Sequence, residues 1–245
     1  MSNRVVLLTG ASGGLGKEIA YALANAGFQI ALNFQHQSAE ANELIAGFKN
    51  ISSQCKSFPC DLTQENAVQE MVEAVYQHFG RIDIVINNAG ISFSGMSWKQ
   101  KLEDWDKIFA INVTAPFLVC KNAIPKIREQ EHGRIINISS IVAHRPLVGT
   151  SAYAASKAAL EGFTKAQAVE LSRFGITANC IAPGYFNTGM IRAIDETLKE
   201  ELIQTIPAGR LGNASELVSC ILYLCSEGAD YITGQTIQLN GGLYL

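Results

Sequence analysis

Two residues with complementary acid–base chemistry, Tyr153 and Lys157, lie four positions apart where the pattern predicts the start of a helix. That spacing puts both side chains on one helix face. A free tyrosine, with a pKa of about 10, is a poor proton shuttle at neutral pH. A lysine ammonium within a few ångström stabilises the phenolate and draws the phenol toward the range useful for general acid–base catalysis. The pair could therefore hand a proton to a substrate oxygen. Tyrosine and lysine at this spacing also occur on solvated helix faces, so the pair needs partners.

One partner is Ser140, 13 residues before Tyr153 and just past a predicted strand over 134–139. Its hydroxyl could bond the same substrate oxygen and hold it beside Tyr153. Ser139 is its neighbour, but successive strand residues face opposite ways, so only one of them can reach the site. Asn112, in Phe109-Ala110-Ile111-Asn112-Val113, falls inside a predicted helix. Taken alone it reads as a buried, hydrogen-bonded polar residue.

Such groups need a rigid frame, and the chain alternates strand and helix from its start. Strands are predicted over 4–9, 29–34, 56–61, 82–87, 134–139, 176–182 and 236–239. Helices are predicted over 16–25, from an N-cap at Ser38 to about Phe48, and over 64–79, 103–128, 153–174 and 214–225. Pro116 inside the fourth of these predicts a kink. Strands separated by helices imply parallel βαβ units with right-handed crossovers. The fold class is therefore α/β, a single doubly wound domain over 1–245. Residues 187–206 interrupt the alternation after a strand's carboxyl end, where ligands bind in such sheets, so this segment is a candidate substrate lid.

Thr9-Gly10-Ala11-Ser12-Gly13-Gly14-Leu15-Gly16 joins the first strand to the first helix. Glycines allow a tight turn and a close approach of backbone to ligand. The helix that follows offers free N–H groups and a partial positive charge to a pyrophosphate. With a strand before it and a helix after it, the turn points to dinucleotide binding.

Composition narrows the rest. Of the 245 residues, 48% are hydrophobic and 17% charged, as in a folded globular protein. A net charge of −3 weighs against nucleic-acid binding, which needs a basic face. The apolar run Val5 to Leu8 is too short for a leader or a bilayer span, so a soluble, cytoplasmic protein with no membrane partner is expected. The six cysteines form no C-x-x-C pair and read as reduced core residues. The four histidines are scattered, and no metal site is expected.

Gly10, Gly14 and Gly16 are spaced more widely than in G-x-G-x-x-G, and the turn resembles the T-G-x-x-x-G-x-G of the short-chain dehydrogenase/reductase family. Asn87-Asn88-Ala89-Gly90 resembles its N-N-A-G motif, Asp61-Leu62 its adenine contact, and Pro183-Gly184 its nicotinamide loop. The resemblance covers essentially the whole chain. It implies a Rossmann-type parallel seven-stranded sheet with helices on both faces. It also implies a nicotinamide oxidoreductase with a catalytic set of Asn112, Ser140, Tyr153 and Lys157. The family's spacing to tyrosine selects Ser140 over Ser139, and Asn112 matches the member that binds a proton-relaying water. On this resemblance the cofactor lies against Gly10, Ser12, Gly13, Gly14, Leu15 and Gly16, against Phe34, His36, Asp61 and Leu62, and against Asn88, Ala89 and Gly90. It also meets Tyr153, Lys157, Pro183, Gly184, Phe186 and Thr188.

The second strand ends in Asn33-Phe34-Gln35-His36-Gln37, with no acid to repel a 2′-phosphate, so NADP (NADPH) is expected over NAD. The usual arginine is missing, since Gly13 stands in its place. His36 also reads as an ordinary exposed loop histidine. Ile206 to Gly212, Tyr231 to Gly234 and Asn240-Gly241-Gly242 resemble the family's 3-oxoacyl thioester reductases, whose substrate rides on acyl carrier protein or CoA. Two positions that are often basic in carrier-protein users are Glu131 and Phe174 here, with Arg128 and Arg173 nearby. That leaves the carrier open, because an acidic carrier needs basic surface. A sugar, polyol or other secondary-alcohol dehydrogenase is the alternative, and a non-catalytic nucleotide sensor the remote one. The family usually forms homotetramers, and the apolar tail Leu243-Tyr244-Leu245 fits a subunit contact.

Overall fold

The short apolar runs between helical segments become strands because both of their faces are covered. The computed structural model describes residues 3–36, 38–48, 54–130, 132–188 and 195–245. Its strands are β1 (Val5–Leu8), β2 (Gln29–Leu32), β3 (Cys55–Ser57), β4 (Ile84–Asn87), β5 (Gly133–Ile138), β6 (Ile176–Pro183) and β7 (Thr236–Leu239). They form one seven-stranded sheet in the order β3-β2-β1-β4-β5-β6-β7. Every pairing is parallel. The order reverses at β1, so the crevice between the carboxyl ends of β1 and β4 is the topological switch point.

Side chains alternate across this sheet. Val6, Leu8, Ile30, Leu32, Ile84 and Ile86 face one core, while Leu7, Ala31 and Val85 face the other. The first core is closed by α1 (Gly14–Asn25), α2 (Ala39–Gly47) and, from the far end of the chain, Leu217, Ile221 and Leu224. The second is closed by α3 (Glu65–Phe79) and by Leu118, Val119 and Ala123. This is the doubly wound α/β arrangement, with helices on both faces.

Between β4 and β5 the sequence predicts one helix with a kink at Pro116. The structure has α4 (Leu102–Phe109), a π-helical turn (Ala110–Thr114) and α5 (Ala115–Ile127). The irregularity precedes the proline, which sits in the first turn of α5. Its ring has no N–H to give to the carbonyl four residues back, that of Asn112. The widened turn therefore falls on a candidate site residue. The 26-residue stretch Leu102–Ile127 is long and apolar enough to cross a membrane, but much of its apolar surface packs on the second core.

After β5 come α6 (Ser151–Leu171), α7 (Glu196–Gln204) and α8 (Ala214–Cys225). The helix α7 lies inside the candidate lid, where no helix was expected. Asp195 caps it by accepting from Thr197 N at 2.9 Å. Residues 189–194 of that segment lie outside the described ones.

Polar side chains lock the layers. Arg134 is 1% exposed. It donates to the carbonyls of Gly133 (2.9 Å), Leu224 (3.1 Å) and Ser226 (3.1 Å) and pairs with Asp230. It thus staples the start of β5 to the end of α8. Arg134→Met leaves buried carbonyls without donors and should cost about 2–4 kcal/mol in urea unfolding. A cost below about 0.5 kcal/mol would show that the staple contributes nothing.

Candidate active site

The turn between β1 and α1 is packed against the end of β4 so tightly that only glycine fits at positions 10 and 16. Gly10 has φ +63, and a Cβ there would meet Ala89 Cα at 2.7 Å. A Cβ on Gly16 would lie 2.2 Å from the Gly10 carbonyl and 2.9 Å from Asn88 Nδ2. Thr9 Oγ1 accepts from the backbone N–H groups of Asn88 and Ala89, both at 3.1 Å. In return Asn88 Nδ2 donates to the carbonyls of Thr9 (3.1 Å) and Gly10 (2.9 Å). Gly13, the N-cap of α1, supplies no capping side chain, and the first turn carries no acid. Its N–H groups are therefore placed to receive an anion. Ser12 and Leu15 are part-buried there, while Gly13 and Gly14 are exposed. This cradle fits the pyrophosphate of a dinucleotide.

On the nucleotide side the expected residues divide. His36 is exposed at the end of β2. Phe34 points into the first core and Leu62 into the second, so only their backbones can face a ligand. Asp61 Oδ1 accepts from Thr63 N (3.0 Å) and Thr63 Oγ1 (2.8 Å). Chiefly the Thr63 backbone bond, helped by the Thr63 hydroxyl and by nearby Gln35 and His36, holds its carboxyl below the usual range. An acid that the sequence places far from β2 thus stands beside the β2 end. Gln37 lies outside the described residues.

The four candidate catalytic residues converge. The Ser140 hydroxyl lies near enough to the Tyr153 phenol to draw its pKa down. Lys157 Nζ donates to the Ile138 carbonyl at 2.7 Å and stands 5.8 Å from the centre of the Tyr153 ring. Asn112 Oδ1 accepts from Ile91 N (2.9 Å), and its Nδ2 donates to Ile91 O (2.9 Å) and Ser156 Oγ (3.0 Å). A Cβ on Gly90 would lie 3.3 Å from both Asn112 Oδ1 and Lys157 Nζ, so the loop after β4 closes the group. Ser139 turns the other way and is buried.

Burial sets the electrostatics. It pushes the Lys157 ammonium down to about 8, against smaller opposing effects of Cys180 and Glu161. Burial also raises the Tyr153 phenol, while the Ser140 hydroxyl pulls it down. The lowering expected from lysine is thus corrected for the protein alone: burial raises the phenol, and Ser140 is the group that opposes it. The phenol is protonated at neutral pH, which is the form that donates.

The end of β6 forms the far wall. Gly184 N donates to Leu239 O (2.8 Å), and a Cβ on Gly184 would meet Asn240 Cα at 2.8 Å. Phe186 is buried and bridges to Gly212, and Thr188 N donates to Phe186 O at 2.7 Å. Ile141, Val142, Ile206, Leu211 and Leu243 form a third apolar cluster. Against it pack Tyr153, Tyr185, Leu202 and Ile203, the last two from α7. Sequence reasoning missed this apolar wall. The one signal was the N-cap Asp195 ahead of Leu198, Leu202 and Ile203.

Comparison with known proteins agrees with this architecture. Residues 10–244 match the family described as enoyl-(acyl carrier protein) reductase. A 3-oxoacyl-(acyl-carrier-protein) reductase of Staphylococcus epidermidis is 34% identical, over 99% of this chain and 100% of its own. Nodulation protein G of Azospirillum brasilense is 39% identical, over 99% of each chain. A solved structure described as a putative short-chain alcohol dehydrogenase of Sinorhizobium meliloti superposes with a TM-score of 0.94 at 32% identity, covering 99% of this chain and 97% of that one. The chain belongs to the short-chain dehydrogenase/reductase family. It is accordingly an oxidoreductase that uses a nicotinamide cofactor.

A lysine whose folded pKa is depressed weakens the fold while it is charged in both states. That cost is present below about 8 and is relieved as pH rises toward the ordinary 10.5. Lys157→Met should therefore be more stable than wild type at pH 7, by about 1–3 kcal/mol in urea unfolding, with the margin shrinking toward pH 10. A margin independent of pH would contradict the burial of a charged lysine.

Proposed function

We propose that the chain is an NADPH-dependent reductase of 3-oxoacyl thioesters, forming the 3-hydroxyacyl thioester. The observation that carries this reading is the convergence of Tyr153 and buried Lys157, whose Nζ stands 5.8 Å from the phenol ring, on the strand end that carries Ser140. Two hydroxyls at that strand end suit a single carbonyl oxygen. Ser140 holds that oxygen, and Tyr153 donates its phenolic proton to it. Lys157 stabilises the phenolate left behind. Asn112, fixed by Ile91 and Ser156, braces the loop of Gly90 against Lys157. The cofactor, when bound, supplies hydride to the carbonyl carbon. Hydride on carbon and a proton on oxygen complete the alcohol.

The names of the relatives support the thioester class, and the apolar wall at Tyr185, Leu202 and Ile203 suits an acyl chain. Residues 187–206 act as the lid of a single domain. The substrate rides on acyl carrier protein or CoA. Arg128 and Arg173 stack on the Phe174 ring at 3.9 and 4.7 Å and keep cationic surface there. NADPH is favoured because β2 ends without an acid of its own and with His36 exposed. The enzyme works in the cytoplasm, without a membrane or nucleic-acid partner.

Initial rates decide between the readings. Acetoacetyl-CoA or acetoacetyl-carrier protein should be reduced, faster with NADPH than with NADH, and a 2-enoyl thioester should not. Tyr153→Phe should lower kcat at least ~100-fold with the fold intact. Oxidation of a sugar or polyol with NAD, and no turnover of 3-oxoacyl thioesters, would replace this reading with the alcohol dehydrogenase one.

The subunit arrangement we propose is a homotetramer. Phe117 on α5 and Val169 on α6 are 45% and 81% exposed, an apolar face that suits another copy. Light scattering should give four times the chain mass, and a monomer would rule the assembly out.

A further inference from the structure

The stripe that begins with the catalytic pair on α6 continues one turn further. Tyr153, Lys157 and Glu161 recur at every fourth position and so share a face. All three meet the end of β5. Tyr153 lies near Ser140, Lys157 Nζ donates to the Ile138 carbonyl (2.7 Å), and Ser139 Oγ donates to Glu161 Oε1 (2.6 Å). Glu161 is 5% exposed. A buried carboxylate persists only when its lone pairs are satisfied.

Its second partner is His144, whose Nε2 lies 3.0 Å from the carboxylate. His144 follows the short helical turn Ile141–Ala143, which Ser140 opens as N-cap. Glu161 thus grips the residue before Ser140 and the residue that closes the turn after it. The His144 ring also packs 5.0 Å from that of Tyr244 near the carboxyl end of the chain.

The same carboxylate faces Lys157. The β5 strand gives the Ile138 carbonyl, β6 the Cys180 thiol, the π-helical turn the neutral Asn112 amide, and α6 Tyr153 and Glu161. Glu161 is itself faced by Ser139, His144, Cys180 and Lys157. Among the described residues the titratable groups that favour a charged Lys157 are Cys180 and Glu161. Burial drives the Cys180 thiol up to about 12, so at neutral pH it carries no charge. The negative charge behind Lys157 is therefore that of Glu161.

We infer that Glu161 is a positioning residue of the reductase site, clamping the Ser140 segment from both sides and holding a counter-charge behind Lys157. This rests on the reading of Tyr153 and Lys157 as the proton-transfer pair. Removal of the charge lowers the pH at which Lys157 loses its proton. Loosening of the clamp misplaces Ser140 and lowers kcat more than it raises KM.

The test uses full-length wild type, Glu161→Gln, Glu161→Asp, Ser139→Ala and His144→Phe. Lys157 is followed against pH through its 13Cε resonance in 13C-lysine-labelled protein, assigned with Lys157→Met. Acetoacetyl-CoA reduction is measured over the same pH range. Glu161→Gln should lower the Lys157 midpoint by about half a pH unit or more and move the alkaline limb of kcat to lower pH. Glu161→Asp, which keeps the charge, should hold the midpoint near wild type. Ser139→Ala and His144→Phe should leave the midpoint in place and lower kcat about 5-fold or more.

A Glu161→Gln midpoint and alkaline limb superposed on wild type would overturn the inference. So would wild-type kcat in both Ser139→Ala and His144→Phe, which decides the matter if Glu161→Gln does not fold. The resonance needs no substrate. A shifted midpoint in a protein that reduces no ketone would condemn the proposed activity and leave the role of Glu161 standing.

Discussion

A lysine ammonium buried beside a phenol is the constraint around which the site is built. Burial works against both groups in their charged forms, holding Lys157 down to about 8 and Tyr153 above its ordinary value. A protein gains nothing in stability from such a pair. The Ile138 carbonyl bond to Lys157 Nζ and the nearby Ser140 hydroxyl offset only part of the cost. The strain is kept where a polarised, partly dehydrated cleft is useful, because charge that develops there is little screened.

The fold brings these groups together by converging several strand ends on one edge. The connections that follow β1 and β4 diverge at the switch point, and glycines at 10 and 16 let their loops touch. The loop after β4 brings Gly90 to Asn112 and Lys157, while β5 ends in the Ile138 carbonyl and Ser140. A buried polar ladder runs behind them. Asn87 Nδ2 donates to Asn137 Oδ1 (2.7 Å), and Asn137 Nδ2 donates to Thr164 Oγ1 (2.7 Å). It ties β4 through β5 to α6, so the helix that carries Tyr153 and Lys157 is fixed in rotation as well as in place.

Much of this frame is legible in the sequence, because alternating strand and helix patterns depend on local periodicity. The predicted bounds of α8 and β7 agree with the structure. The edge strand β3 is shorter than expected, as β2 is its one sheet neighbour. The π-helical turn escaped notice because a proline signals trouble without saying on which side it falls. α7 escaped because Glu196–Gln204 is mostly charged and polar and lacks a broad apolar stripe. Arg134 and Glu161 gave no sign, since their partners lie about 90 and 22 residues away. The raised phenol of the protein alone is not legible in the sequence for a related reason. Spacing shows that a lysine is near, but burial, which decides the balance, belongs to the folded chain.

The central claim is that Lys157 governs the Tyr153 phenol once the dinucleotide is in place. An ultraviolet difference titration of the cofactor-bound protein, with Tyr153→Phe to isolate the signal, measures this directly. The account predicts a phenol that ionises below its ordinary 10 in wild type and above it in Lys157→Met. A Tyr153 that titrates at or above 10 with Lys157 present and cofactor bound would contradict it.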